Sequence, residues 1–462
     1  MNPKIVKDVT LLFLLALLVR IGYAFFFVES AYLITEDQMG YIQLAQQLPD
    51  SGFLGLNLER VPGYPLFLAI INNIFGDNIW NLIAVQIVLD SLSCVMIGLL
   101  AQTIFLKGFW IAGVISVFNL NMIILSASLL TDTLFLFIFI LSIFSIVRYL
   151  QREHIYWLIS SIVLLSIATM VRSASYYLLP ILLLSLTIWR FWRKDSIVQV
   201  GRMIVLYLLI VATILGGIHH RNYTQYQSTA LVSHTGSHLL NWVVPATYQY
   251  SGQGSYKEGY AISRERLRFS LSRDKLKTLP SNQFESSAYQ ARVGKEILLE
   301  FGVVNIVKAW IVGSIINLLA PSLSYAPVVR SIKHPSFYET AGSGAVEKLW
   351  NYTQNSSTWL YLLILAVGTI VSALFLFLAL AGVAKVVKAI KNGKEGNIYP
   401  VIIIVLLILV GYFLAITGPI IGVKYRLPLE PILTLFVTYF LIGVRPKFLP
   451  QLRFIPFLRV KK

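Results

Sequence analysis

Two segments decide the fold of this chain: residues 37–48 read DQMGYIQLAQQL, and residues 60–68 read RVPGYPLFL. The first carries apolar residues at helical spacing, and the second sets two prolines and a glycine in a rigid turn before another apolar helix. Both follow closely on the first long apolar run of the sequence. They predict short helices at the membrane surface, with a carboxylate on one helix and a guanidinium beside the other.

The composition is that of a membrane protein. Hydrophobic residues make up 57% of the 462 residues and charged residues only 13%, and the mean hydropathy is +0.73. Several apolar runs approach the roughly 20 residues that a helix needs to cross a bilayer. We therefore predict an all-α polytopic membrane protein. Much of the net charge of +17 sits in short loops between the apolar runs, which argues against a nucleic-acid partner.

Hydropathy predicts ten membrane-spanning helices. They cover residues 8–29, 79–106, 109–125, 131–150, 155–173, 175–192, 202–220, 358–384, 398–418 and 426–444. Lys107, Arg152 and Lys194 fall in loops on one side of the membrane, and the positive-inside rule makes that side cytoplasmic. Both termini are then cytoplasmic in a plasma (inner) membrane protein, with a transmembrane domain of residues 1–445 and a basic tail of residues 446–462.

Two regions are expected to face outward, namely the first external loop at residues 29–78 and a large external region at residues 221–357. Within the latter, Phe301–Ala320 is apolar enough to span the membrane. A crossing there would place the basic residues that follow on the outer side, against the positive-inside rule. We therefore expect an interfacial or re-entrant helix at Phe301–Ala320.

Three acidic residues are candidate catalytic groups on the outward side. Thr35 is expected to N-cap a short helix whose first turn holds Glu36 and Asp37, which would fix both carboxylates near the membrane surface. Asp132 lies at the outward end of the fourth span. A single acid at such a place is often a solvated loop residue or a helix-terminal acid, but an ionisable group next to apolar sequence is costly without a role.

Several basic residues are expected on the same side. Arg60 precedes the turn of residues 61–65, Arg172 ends the fifth span, and Lys424 and Arg426 begin the last span. Each alone could be a cation that reaches to lipid headgroups. Together they favour binding of a phosphate group, which arginine recognises with two parallel hydrogen bonds.

Metal and cysteine chemistry have little support in the sequence. The single cysteine, Cys94, excludes an internal disulfide and a cysteine-based zinc site. His234 and His238 have i, i+4 spacing, but no third ligand is evident. We predict no metal site.

Taken in order, these segments resemble the GT-C superfamily of glycosyltransferases. In particular, they resemble the branch that holds the protein O-mannosyltransferases and the aminoarabinose transferase of lipid A. Residues 37–48 and 60–68 match a D-x-x-G-Y-x-x-L-A-x-x-L and R-x-P-G-Y-P-L-F-L pattern. Leu130–Phe135 matches an external L-T-D/E-T-L-F element, and Lys424–Pro428 matches a K/R-Y-R-L-P motif.

The resemblance implies a GT-C-like bundle of about ten (ten to thirteen) transmembrane helices with external juxtamembrane helices. It implies an inverting glycosyltransferase that takes a sugar from a polyprenyl-phosphate-linked donor on the outer or periplasmic face. Asp37 would be the general base, although the order Glu36-Asp37 leaves open which carboxylate acts. Arg60, Arg172, Lys424 and Arg426 would bind the donor phosphate.

The remaining expectations concern the pocket and its ligands. Four residues are predicted to line the donor or acceptor pocket: Tyr41, Tyr64, Tyr425 and His220. No cofactor is certain, and a divalent cation that bridges Asp37, Asp132 and the phosphate stays open. The partners would be membrane lipids, the lipid-linked donor and a glycan, glycolipid or protein acceptor of the cell envelope. No soluble domain follows the last predicted span, so residues 221–357 are expected to recognise the acceptor.

Two other functions compete with this one. A transporter or flippase of a lipid-linked glycan would share the basic outward cavity, but it usually shows internal symmetry and polar residues at mid-helix. An oligosaccharide polymerase would also act outside and would carry arginines in its external loop, as residues 264–273 do here.

Overall fold

The computed structural model is helical throughout its described part. That part consists of residues 3–28, 36–55, 58–356, 358–393 and 398–443. Within these ranges there are α-helices, short 3-10 and π turns, and no β-strand, so the predicted all-α fold is confirmed. The predicted N-cap Thr35 and the basic tail lie outside the described residues.

Ten helices lie within residues 3–226 of the described chain. They are α1 (Pro3–Phe27), α2 (Glu36–Gly55), α3 (Gly63–Phe75), α4 (Ile79–Phe105), α5 (Phe109–Val117), α6 (Leu120–Ser126), α7 (Thr131–Arg152), α8 (Ile155–Val171), α9 (Leu178–Trp192) and α10 (Ile197–Tyr226). Helices α2 and α3 are the two short helices predicted for the first external loop.

The rest of the described chain adds ten more. They are α11 (Thr235–His238), α12 (Val244–Ser251), α13 (Tyr256–Arg273), α14 (Gln283–Phe301), α15 (Val303–Leu319), α16 (Pro327–Arg330), α17 (Ala345–Asn355), α18 (Trp359–Lys391), α19 (Ile398–Thr417) and α20 (Glu430–Gly443). Two 3-10 turns matter for the site: Ser322–Tyr325 follows α15, and Val423–Leu429 leads into α20.

Eight of the described helices are long and apolar enough to cross a membrane, or up to ten spans if each of two bent pairs counts as one. The bent pairs are α5 with α6 and α14 with α15, and α8 is a shorter apolar helix. All ten predicted spans therefore coincide with apolar helices. The third is broken and the fifth is short.

Backbone groups on both sides of the break in the third span have hydrogen-bond partners. Helices α5 and α6 meet at a bend of 56°, and Asn119 N-caps α6 by accepting a hydrogen bond from the amide of Met122 at 3.1 Å. The carbonyls of Ser116 and Val117 at the end of α5 accept hydrogen bonds from Arg20 of α1, at 3.3 and 3.1 Å. The backbone groups that the break releases are thus satisfied within the protein, as a membrane interior requires.

Arg20 also forms a buried ion pair with Asp90 of α4. The two side chains are 0% and 1% exposed, and Arg20 Nη2 donates to Cys94 Sγ at 3.1 Å. A buried pair is tolerated only where further hydrogen bonds surround it, as they do here. No sequence pattern indicates this pair, because both residues lie inside apolar runs.

Helices α14 and α15 meet at a bend of 102°. Gly302 joins them with φ +80°, which a glycine adopts without strain. Helix α15 exposes Val304, Val307 and Ile311 along one face, at 80%, 50% and 54% of their surface. This geometry fits the interfacial or re-entrant helix expected at Phe301–Ala320, and whether the segment crosses stays a prediction.

Helix α7 is the packing centre of the bundle and positions the site. Helices α4 and α8 pack against it, and its residues Phe135, Leu136 and Ile140 are fully buried. The first turn of α7 carries Asp132, so the rigid centre of the bundle holds this carboxylate in place.

Candidate active site

Arg60 and Asp37 form the core of the site. Arg60 Nη2 lies 3.0 Å from Asp37 Oδ1, and its Nη1 donates to the Asp37 carbonyl at 3.2 Å. The guanidinium also lies 4.3 Å from the centre of the Tyr41 ring, one turn along α2. A Cβ atom at Gly40 would come within 3.5 Å of this guanidinium. Helix α2 therefore presents a carboxylate, an aromatic face and a bare backbone position to one arginine.

The turn after Arg60 is fixed against the end of α8. A Cβ atom at Gly63 would lie 2.5 Å from the carbonyl oxygen of Met170, so only glycine allows this approach. Tyr64 is fully buried and donates a hydrogen bond to Gln86 Oε1 at 2.8 Å. Its ring meets that of Tyr41 edge to face at 5.1 Å. These contacts hold the Arg60 turn close to Arg172, which directly follows α8.

Arg172 and Asp132 form the second ion pair of the site. Asp132 begins α7 and is 2% exposed, whereas the side chain of Arg172 keeps 16% of its surface open. The guanidinium also faces the ring of Phe135 at 6.0 Å. The pair is therefore buried on the carboxylate side and open on the cation side.

Lys424 reaches Asp37 from the other end of the chain, with Nζ 3.6 Å from Asp37 Oδ2. The loop before it is clamped by Asn317 of α15. The Asn317 side chain donates to the carbonyl of Ile420 and accepts from the amide of Gly422, both at 2.8 Å. Asp37, whose side chain is 53% exposed, thus lies between two cations.

The two ion pairs and Tyr41 share one electrostatic neighbourhood. Burial raises the pKa of the Tyr41 hydroxyl; Arg60 and Arg172 oppose the rise, and Asp132 and Asp37 add to it. These effects require all four charges to lie near the same ring. With Tyr64, whose ring contacts that of Tyr41, the structure therefore brings together six of the residues predicted from sequence, and Lys424 joins them through Asp37.

Arg426 lies elsewhere, although the sequence places it two residues after Lys424. Its Nε donates to Glu430 Oε1 at 2.7 Å, and Nη1 donates to the carbonyls of Leu318 and Ala320 at 2.9 and 3.0 Å. Nη2 donates to Ser322 Oγ at 2.8 Å. With its donors taken by the protein, Arg426 joins α20 to the end of α15.

Three further predicted residues have other placements. The ring of Tyr425 lies 5.8 Å from Lys424 Nζ, at the edge of the site. His220 is exposed on α10, and none of the contacts described for Asp37 or Arg60 involves it. Glu36 begins α2, but its side chain lies outside the described residues.

Sequence reasoning missed Tyr325 and Arg330. Burial raises the pKa of Tyr325, while Lys424 lowers it and Asp132 raises it, so this ring lies on the Lys424 side of the site. The Arg330 guanidinium faces the Tyr325 ring at 5.4 Å. The local sequence around both residues carries no pattern that could have singled them out.

Among the residues that the structure describes, no group of three or more His, Cys, Asp or Glu side chains could hold a metal ion. His234 and His238 do approach each other, with ring centres 5.7 Å apart. Burial, then His234 and Lys424, lower the pKa of His238 to about 4, so this imidazole is neutral near pH 7.

Part of the chain matches the profile of a known protein family. Residues 59–215 match the profile of the family described as dolichyl-phosphate-mannose-protein mannosyltransferase. No curated protein matches the sequence. Similar solved structures include crystal structures of ArnT from Cupriavidus metallidurans in the apo state and bound to undecaprenyl phosphate. Each is 11% identical, with 94% of this chain and 77% of that chain covered, and the TM-scores are 0.37 and 0.36.

The matched residues include Arg60, the turn at Gly63, Asp132 and Arg172, which the structure gathers at one site. Over residues 59–215 the chain is thus similar in sequence to the dolichyl-phosphate-mannose-protein mannosyltransferase family, in line with the resemblance to polyprenyl-phosphate-sugar-dependent GT-C glycosyltransferases noted from its motifs.

Proposed function

We propose that this protein is an inverting membrane glycosyltransferase that moves one sugar from a polyprenyl-phosphate donor to a cell-envelope acceptor. The observation that carries the proposal is Asp37 placed between Arg60 and Lys424, with Arg172 in the same electrostatic neighbourhood. A carboxylate and several cations in one half-open site fit the removal of a proton beside a departing phosphate. The family profile over residues 59–215 supports a lipid-phosphate donor.

The charge balance of the site suits such a donor. Three cations, Arg60, Arg172 and Lys424, face two described carboxylates, Asp37 and Asp132. Among these described groups, the excess of one positive charge matches the single negative charge of a phosphodiester. When the sugar leaves, the phosphate becomes a monoester with about −1.5 to −2 charges near pH 7. The same cations then stabilise the transition state more than the bound donor, as catalysis requires.

Asp37 and the donor phosphate would compete for the same two cations, and this competition would couple donor binding to base catalysis. Without a donor, Arg60 and Lys424 bind Asp37. A donor phosphate would take over both cations and release the carboxylate. Asp37 would then accept the proton of an acceptor hydroxyl whose oxygen bonds to the anomeric carbon, while the bond from that carbon to the phosphate oxygen breaks and the phosphate keeps the electron pair.

Asp132 has a different task in this proposal. It is almost fully buried and paired with Arg172, so it has little access to an acceptor. We assign it the role of a positioning residue that aims Arg172 at the phosphate. Arg426 is likewise assigned to structure, because its donors are already bound.

We place the reaction on the outer face of the plasma membrane, with both termini cytoplasmic. Lys107 and Lys194 lie in short loops on the opposite side and Arg152 ends α7 there, and short loops rich in lysine and arginine remain in the cytoplasm. Cysteines introduced at exposed positions, such as Glu59→Cys near the site and Lys107→Cys opposite, would report the two sides to a membrane-impermeant thiol reagent. Labelling of Lys107→Cys alone in intact cells would refute this placement.

The function is tested with Asp37→Asn in purified protein supplied with a polyprenyl-phosphate sugar and a candidate acceptor. Turnover should fall by about 10²–10⁴-fold, the usual contribution of a general base. Asp50→Asn is the matched control, since Asp50 is an exposed acid near the other end of α2. Wild-type turnover in a folded Asp37→Asn protein would contradict the mechanism.

Two other results would change the function itself. Movement of the donor across vesicles without product would establish a flippase. Formation of a polymer from repeated oligosaccharide units would establish a polymerase.

A further inference from the structure

Helix α17 exposes an apolar face that nothing in the described structure covers. Val346, Leu349 and Trp350 are exposed over 83%, 51% and 65% of their surface. Their i, i+3, i+4 spacing puts them on one side of the helix. Lys348 and Tyr352, on the opposite side, are 0% and 4% exposed. The helix is therefore oriented by the protein with its apolar face outward.

The buried face of α17 is held firmly. Lys348 Nζ donates to Gln249 Oε1 at 2.8 Å and to the carbonyl of Tyr338 at 3.4 Å, and it lies 4.8 Å from the centre of the Phe337 ring. Ser343 donates through its hydroxyl to Glu347 Oε2 at 2.6 Å and closes the loop before the helix. An exposed face fixed this way cannot turn inward to hide its apolar side chains.

The distance of α17 from the membrane is set by α18. Only a few residues separate Asn355, the end of α17, from Trp359, the start of a candidate span of 33 residues. Tyr352 of α17 donates a hydrogen bond to the hydroxyl of Tyr361 in the first turn of α18, at 3.1 Å. Trp359 itself is 73% exposed, as expected of a side chain at the lipid boundary. Helix α17 therefore lies at the level where the chain enters the bilayer.

We infer that α17 is an interfacial helix whose Val346, Leu349 and Trp350 insert into the boundary between lipid headgroups and acyl chains. Lipid is the occupant that this position supplies, because α17 ends only a few residues before the candidate spanning helix α18, whose first residue Trp359 is also exposed. Large apolar side chains and a tryptophan on one face are typical of helices that lie in the membrane surface. Contact with water would instead leave a patch that soluble surfaces rarely tolerate.

The inserted helix is connected to the candidate active site. Lys348 binds the carbonyl of Tyr338, and the Tyr338 hydroxyl donates to the carbonyl of Ile421. Ile421 lies in the loop that presents Lys424 to Asp37. Two hydrogen bonds thus join α17 to the loop that leads to Lys424. Insertion of α17 into lipid would therefore fix the height of that loop above the bilayer.

Depth measurements test the insertion without any need for transfer activity. Spin labels at Val346→Cys and Leu349→Cys in lipid nanodiscs should be accessible to oxygen and shielded from a water-soluble nickel complex. A label at Glu265→Cys, exposed on the external helix α13, is the control and should show the reverse. The native Cys94 is buried and stays in place.

Other occupants give other results. Nickel access at residues 346 and 349 equal to that at residue 265 would show that the face is in water and overturn the inference. A second copy of the chain could instead cover the face. In that case residues 346 and 349 would be shielded from both oxygen and the nickel complex, and the shielding would disappear with one chain per nanodisc. This result would also overturn the inference.

A kinetic test rests on the proposed function. The double variant Leu349→Ser with Trp350→Ser should raise KM for the lipid-linked donor severalfold with little change in kcat, whereas Trp350→Phe should behave as wild type. An equal loss for the phenylalanine variant would contradict the anchoring role. Absence of transfer by the wild-type protein would instead count against the proposed function and leave the depth result intact.

Discussion

The α-carbon of Gly63 packs against the carbonyl of Met170 so closely that an added Cβ would sit 2.5 Å from that oxygen. We predict that Gly63→Ala forces α3 away from α8 and separates Arg60 from Arg172. Turnover should fall at least about tenfold, because misplacement of charged groups by about 1 Å has that scale of effect.

The matched control for this variant is Gly216→Ala, since a Cβ atom at Gly216 meets nothing within 4 Å. Both variants should purify with wild-type helix content by circular dichroism. Full activity of Gly63→Ala would show that the spacing between the two arginines does not matter.

The Asp132–Arg172 pair should behave as a unit. Arg172→Ala leaves a buried carboxylate unpaired and should destabilise the protein by about 3–5 kcal/mol, whereas Asp132→Ala leaves a partly open cation and should cost less. The double variant should recover part of the loss, with a coupling of about 0.5–3 kcal/mol. Thermal unfolding of the four proteins in one detergent measures this cycle, and strictly additive losses would show that the pair is not coupled.

Lys424 and Arg426, two residues apart, should respond differently to substitution. Lys424→Met removes a cation from Asp37 and should raise KM for the donor with little loss of thermal stability. Arg426→Met breaks bonds to Glu430, Ser322 and two backbone carbonyls and should lower the melting temperature by several degrees. Donor titrations and melting curves of the two variants separate these effects. The reverse pattern would assign the phosphate to Arg426.

Because the Lys348 ammonium is buried, the folding stability of the protein should increase with pH. Burial lowers the pKa of its ammonium to about 8, from about 10.4 in an unfolded chain. Between these values the unfolded state binds more protons than the folded state, so stability rises with pH across this window. The cost of burying the charge is fully present below about pH 8.

Melting curves of the wild-type protein and of Lys348→Met from pH 7 to 10 measure this effect. The difference between the two should change by on the order of 2–3 kcal/mol over the window. A constant difference across that range would show that the Lys348 ammonium is not destabilised in the folded protein.

The parts of this structure that follow from local sequence were predictable. Helix α2 and the turn at Gly63 come from apolar spacing and from proline and glycine, and they suffice to bring Arg60 near Asp37. The sequence predicted only that Lys424 and Asp37 lie on the same side of the membrane. It did not predict that they are in contact. The contact itself depends on how Asn317 holds the intervening loop, and no local pattern records that.

The features that the sequence did not predict depend on contacts between residues far apart in the chain. Residues 109–125 are apolar enough for one continuous span, and the side chain of Asn119 at the break has a distant partner, Glu430, to which it donates at 2.8 Å. Arg426 was grouped with Lys424 because of sequence proximity, yet in the turn before α20 the two side chains have different partners. Burial of Arg20 with Asp90 was equally invisible within apolar sequence.

The contact between Asn119 and Glu430 also bears on how the protein is made. Asn119 and Asn121 both donate to Glu430, across sequence separations of 311 and 309 residues. During synthesis these two side-chain amides therefore cannot reach Glu430 until the start of α20 has been made. Ribosome-bound chains that stop short of α20 should consequently be the preferred substrates of membrane chaperones and quality-control proteases.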